Sequence, residues 1–152
     1  LPVLGFLSAG ELTEQFFPPS DRDMFHIEMR LSPSSSIENT KQTTLEIDQF
    51  IRQFEGIEKL DWMIGNNFPS FYYNIKPRSR GASNYAQAMV KVTNFKVANK
   101  LIPKLQTELD IAFPQAQIIV RKLEQGPPFN APIEMRIYGP NLDTLNTLKQ
   151  LL

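Results

Sequence analysis

Residues 25–31, Phe-His-Ile-Glu-Met-Arg-Leu, alternate strictly: Phe25, Ile27, Met29 and Leu31 fall on one side of an extended segment, and His26, Glu28 and Arg30 on the other. The pattern predicts a half-buried strand. Upstream, Pro18 and Pro19 cannot donate to a sheet ladder, so the sheet is expected to begin after them, with residues 21–23 as its threshold. Then the period changes. Ile47, Phe50, Ile51 and Phe54 recur at i, i+3, i+4 and i+7, while Glu46, Asp48, Gln49, Arg52 and Gln53 take the wet side of a predicted helix. Its start lies in the serine-rich turn at 32–36, where Ser35 and Glu38 are spaced as a capping box, and Gly56 supplies a left-handed stop.

Residues 57–64 return to alternation, Leu60, Trp62 and Ile64 against Asp61 and Met63, and residues 71–75 read as a further extended piece. In residues 85–92, Ala86, Ala88, Val90 and Val92 alternate against Gln87, Met89 and Lys91. Asn94 is placed to cap a second helix with Ala98, Leu101, Ile102, Leu105 and Leu109 as its buried stripe. Pro103 lies inside that stripe and is expected either to kink the helix or to open its main part. Pro114 closes the helix, and residues 116–123 form a last strand.

Two copies of one β-α-β unit, offset by about sixty residues, predict an α+β, ferredoxin-like βαββαβ sandwich: an antiparallel sheet with two helices on one face. The predicted division is 1–22 as an apolar end and linker, 23–125 as the sandwich, and 126–152 as a hinge followed by an incomplete unit. In that last part, Gly126-Pro127-Pro128 is the hinge, Ile133, Met135 and Ile137 start a strand, and Leu142, Leu145, Leu148 and Leu152 start a helix. Lacking its partner strands, this unit is expected to expose an edge through which the isolated chain can dimerise or swap segments.

Composition mostly removes possibilities. The chain has 152 residues, with 16 basic and 16 acidic side chains, so the usual electrostatic case for nucleic acid is missing. RNA-recognition modules share this strand order, but residues 85–92 lack the Gly-Phe-aromatic pattern those modules use. No cysteine is present, and the single histidine, His26, has no second histidine beside it to make a zinc site. Asp21, Asp23 and Glu28 read as a charged turn and strand face, Ser34 to Ser36 as capping residues, and no glycine falls in a phosphate-cradling pattern. These residues offer no catalytic constellation and call for no cofactor. The five methionines, Met24, Met29, Met63, Met89 and Met135, invite a soft-metal reading, but their strand positions fit gap-filling in a core.

Residues 65–74 are different. Phe68, Phe71, Tyr72 and Tyr73 put four rings into a turn-forming stretch where a solvated loop is ordinarily small and polar. Together with Asn66 and Asn67, the rings Phe68, Phe71 and Tyr73 make the best candidate for a small-molecule surface, the competing reading being that they pack beneath the loop or against a neighbouring subunit.

The stretch Phe-Phe-Pro-Pro-Ser-Asp-Arg-Asp-Met-Phe at 16–25, then Gly56-Ile57-Glu58, then Arg-Lys-Leu-Glu-Gln-Gly-Pro-Pro at 121–128, Ala131-Pro132-Ile133-Glu134 and Gly139-Pro140-Asn141-Leu142, resembles in its order the periplasmic porter region of resistance-nodulation-division (RND) efflux transporters of the AcrB/AcrD/AcrF type. The Phe-Phe-Pro-Pro and Asp-Arg-Asp elements are most similar to the second of that family's two homologous halves. The resemblance implies that residues 1–12 end a membrane helix and that residues 23–125 form a porter subdomain. It implies a whole protein that is a homotrimeric inner-membrane pump exchanging protons for amphiphilic drugs and other small organic compounds, with this region in the periplasm, a periplasmic adaptor and an outer-membrane channel. It also places Asn66, Asn67, Phe68, Phe71 and Tyr73 on a loop that separates an outer from a deeper substrate pocket. Here that loop reads Asn-Asn-Phe-Pro-Ser where well-known members are glycine-rich. Met29 and Met63 fall in plausible places for the three-methionine site of metal-exporting relatives, without a partner on the last strand, so organic substrates are expected. The rival reading is a freestanding ferredoxin-like ligand-sensing or assembly module.

Overall fold

The computed structural model describes residues 21–76 and 79–124. The apolar N-terminal stretch, the hinge at 126–128 and the unit that follows it lie outside these residues, as does the proposed exposed edge of that unit. Six elements follow one another: β1 (Met24–Arg30), α1 (Ile37–Ile51), β2 (Ile57–Ile64), β3 (Tyr85–Val92), α2 (Phe95–Ala112) and β4 (Gln117–Lys122). The strands form one sheet in the order β2-β3-β1-β4, each neighbour antiparallel, with Phe25 opposite Val90 and Lys122, and Trp62 opposite Ala88. The expected ferredoxin-like α+β sandwich is therefore the fold observed.

Alternation explains the sheet's first face. Phe25, Ile27 and Met29 of β1, Ala88 and Val90 of β3, and Ile118 and Val120 of β4 turn to the helices, where they meet Ile47 and Ile51 of α1 and Leu101, Leu105 and Leu109 of α2. Each large side chain taken out of water there contributes about 1.5–3 kcal/mol. Phe50 extends this core outward, its ring 5.6 Å from that of Phe54 and 5.7 Å from that of Phe113.

The helix starts follow the side-chain chemistry, with one shift. Ser36, not Ser35, caps α1: its backbone is extended and its hydroxyl accepts from the Asn39 amide at 3.2 Å. Ser35 is instead held in the preceding turn by its amide donating to the Ser32 carbonyl at 2.9 Å, so the box with Glu38 does not form at that spacing. Asn94 caps α2 as expected, accepting from the Val97 amide at 3.1 Å. Gly56 has φ +87°, and a Cβ there would come within 2.7 Å of Val97 Cγ1, so both conformation and space require glycine. Pro103 does not open the helix: it lies inside α2, which runs from Phe95 to Ala112. Pro103 and Asn99, whose carbonyl loses its helical donor, are both exposed, so water can replace the missing bond.

Both sheet edges are clamped by the helix of their own repeat. On β4, Gln106 of α2 donates to the Ile118 carbonyl and accepts from the Val120 amide, both at 2.8 Å, as a rung of a neighbouring strand would. On β2, Arg52 donates to the Leu60 carbonyl at 3.1 Å while pairing with Asp48 at 2.7 Å, and Asp48 also accepts from the Trp62 indole at 3.2 Å. The duplication seen in the sequence extends to these contacts.

Candidate functional site

The sheet's second face carries Met24, His26, Glu28 and Arg30 of β1 and Tyr85, Gln87, Met89 and Lys91 of β3. No helix of the sandwich covers it, yet His26, Tyr85, Gln87 and Met89 are buried. Residues 65–76 and 79–84, in the connection from β2 to β3, fold back over it as a cap. Gly65, at φ +72°, makes the reversal, and its amide donates to the Tyr85 carbonyl at 2.7 Å. Residues 71–75, expected to be extended, form turns instead: the Phe71 amide bonds the Pro69 carbonyl at 2.9 Å and the Ile75 amide the Tyr72 carbonyl at 3.1 Å. Local closure satisfies amides that have no strand to pair with.

Polar bonds hold the cap down. Asn67 is buried, donating to the Tyr85 hydroxyl and accepting from the Ser79 amide, both at 2.7 Å. The Phe68 amide donates to Gln87 Oε1 at 2.8 Å, and Asn74 donates to the Lys122 carbonyl at 2.8 Å. Arg30 donates to Ser79 Oγ at 3.0 Å, with its guanidinium 5.0 Å from the centre of the Tyr85 ring. Ile75, Met89 and Leu123 form a small apolar cluster with Phe68, Tyr72 and Met24 around it. The cap's end is tied to α1, where Thr40 donates to the Ser83 carbonyl at 2.6 Å.

The five candidate residues therefore part company. Asn67 and Phe68 point inward as anchors, and Asn66 stands between, its side chain accepting from the Asn67 amide at 2.9 Å. Phe71 and Tyr73 point outward, 54% and 67% exposed. Tyr72 lies between them, its ring 6.2 Å from that of Tyr73 and edge to face with it. Sequence reasoning missed the residues that receive the cap, Arg30, Tyr85 and Gln87, and two of the cap's own anchors, Asn74 and Ser79. The only signal was the amide and hydroxyl side chains on the strand face opposite the core, which alternation by itself assigns to solvent.

Electrostatics set this face apart as well. Burial pushes the Tyr85 phenol well above its ordinary value, helped by Glu28 and opposed by Arg30, the Asn67 hydrogen bond and Arg121. For Glu28 burial acts upward, but the His26 imidazole, Arg121 and Arg30 outweigh it and hold the carboxyl below its ordinary range. Among the described residues no group of three or more His, Asp or Glu is placed to hold a metal ion. No helix among the described residues is long and apolar enough to cross a membrane. The arrangement offers aromatic faces and hydrogen-bonding edges, the chemistry of holding a ligand.

No protein-family model matches the chain, and no curated protein is significantly similar to it.

Proposed function

We propose that this chain is part of the periplasmic porter region of an RND-type efflux pump, and that its cap lines the path of amphiphilic organic compounds. One observation carries the reading. Two rings that folding alone would bury, Phe71 and Tyr73, stand exposed on a cap otherwise pinned to the sheet by Asn67, Phe68 and Asn74. Exposed rings on a fixed base accept varied apolar and cationic molecules without demanding particular hydrogen bonds. The ordered set of motifs from Phe16 to Leu142 and the ferredoxin-like sandwich both accord with the proposal. On this reading the whole protein is a proton-driven homotrimer of the bacterial inner membrane, joined by a periplasmic adaptor and an outer-membrane channel.

The test is Phe71→Ala in the intact transporter, read as a resistance profile across compounds of graded size at matched expression. The expected result is a shift in the relative resistance to large and small compounds. An unchanged profile would make Phe71 a surface ring with no part in transport. Sequencing the gene outward provides a second check, since the proposal requires membrane spans in the same reading frame.

A further inference from the structure

On the helix side of the sheet, a cleft of about 460 Å³ lies between α2 and the end of α1 with the turn that follows it. That volume falls among those of small-ligand sites. Its apolar part is Phe50, Phe54 and the buried Leu101, and its charged part is Lys104, Glu55 and Glu108. The apolar part is set in place by the fold. The Phe50 ring packs on those of Phe54 and Phe113, and the turn is closed by the Gln53 amide donating to the Phe50 carbonyl at 3.3 Å and the Phe54 amide to that of Ile51 at 3.1 Å. Gly56, tight against Val97, keeps the turn close to α2.

The charges are not paired as neighbours on a helix ordinarily are. Lys104 and Glu108 stand one turn apart on α2, in the weaker order of the two, with lysine first. Lys104 instead carries its ammonium over the Phe54 ring, 5.3 Å from the centre. Glu108 and Glu55 are left without an ion pair or a side-chain hydrogen bond among the described residues, whereas Asp48, Asp61 and Glu58 meet Arg52, Lys59 and Lys91 at 2.7, 3.3 and 3.0 Å. We propose that this cleft binds a small organic monocation with an aromatic or aliphatic body, and that Lys104 holds the cation's place on Phe54 until the ligand displaces it. Two carboxylates and one ammonium leave the cleft one negative charge in excess, which one bound cation neutralises. The Phe54 ring face attracts the charged group, and Phe50 and Leu101 receive the apolar body. An anion of the same shape would face both carboxylates. Lys104 is exposed, so its ammonium can move into water when displaced. The cap lies on the other face of the sheet, so this site stands or falls separately from the transport reading.

The test is binding of benzyltrimethylammonium to the full chain, followed through backbone amide chemical shifts, with benzenesulfonate as the oppositely charged probe. The cation is expected to bind in the roughly millimolar range and to shift the amides of Phe54, Glu55, Leu101 and Glu108, while the sulfonate shifts none of them. Glu55→Gln and Glu108→Gln should each weaken the cation roughly two- to fivefold. Lys104→Ala should tighten it by roughly the same factor, whereas Lys100→Ala, which removes the same charge from outside the cleft, should change it little. Absence of cation binding would overturn the proposal, as would equal binding of both probes or a cation affinity that none of the cleft variants alters. Shifts confined to Phe71 and Tyr73 would overturn it too, while leaving the transport reading standing. Shifts of the cleft amides on concentrating the protein alone would give the cleft to a second copy of the chain, and so contradict it.

Discussion

On the helix side of the sheet, Phe25, Ile27, Met29 and Val90 are fully buried against Ile47, Ile51, Leu105 and Leu109, all apolar. On the cap side, Tyr85 and Gln87 are equally dry, but what meets them is Asn67, the Phe68 amide and a guanidinium stacked on a ring. The first interface gains stability in proportion to apolar area and carries no titrating groups. The second depends on a short list of hydrogen bonds, each worth about 0.5–1.5 kcal/mol when made and about 1–3 kcal/mol when one partner is left buried alone. The same sheet thus has one face covered by apolar packing and one whose cover is held mainly by hydrogen bonds. By this reasoning the cap is the less stable layer of the fold.

The largest effect should come from the helix side. Phe25→Ala is expected to cost about 3–5 kcal/mol, by lost burial and the cavity left behind, and chemical denaturation should show core and cap lost together. Asn67→Ala should cost about 1–3 kcal/mol, because it leaves the Tyr85 hydroxyl and the Ser79 amide without partners. That cost should appear in the cap, measured by proteolysis within residues 65–84, with the global unfolding midpoint changed little. If Asn67→Ala lowered global stability as much as Phe25→Ala, the distinction between the two faces would fail.

The smallest effect concerns pH on the alkaline side. Tyr85 has its phenol raised while the cap is closed, so its contribution is fully present below the ordinary tyrosine value and is lost as pH rises through the raised one. Above about pH 10 the closed cap should weaken by at most about 1.4 kcal/mol per pH unit, detected as faster cap proteolysis. Glu28 works in the opposite sense. Its lowered value gives stability that is present above the ordinary carboxylate range and lost as pH falls through the lowered one.

The helix side was legible in the sequence because two periods, 2 and 3.6, each place one apolar stripe where the other can meet it. The α+β class, the Asn94 cap and the Gly56 stop followed from the same local rules. Thr40, Thr43 and Thr44 escaped notice because polar residues on the buried side of α1 break the pattern; the Thr43 and Thr44 hydroxyls bond carbonyls one helical turn back and that of Thr40 bonds the Ser83 carbonyl, which makes them safe to bury. The cap was only partly legible. Its aromatic content singled it out, but four rings in a loop do not say which face inward. That depended on contacts distant in sequence, Asn67 to Tyr85 and Asn74 to Lys122, which no local pattern encodes. Alternation marked Gln87 and Met89 as lying opposite the core and could not say that a loop would cover them.

The central claim is that residues 65–76 and 79–84 form a separately held layer over a permanent core. Amide hydrogen exchange on the unmodified chain and on Asn67→Ala, side by side, tests it most directly. The account predicts that the Phe68 and Ser79 amides lose roughly tenfold or more of their protection in the variant while those of β1 and α2 are unchanged. Equal loss in both regions, or no loss in either, would contradict it.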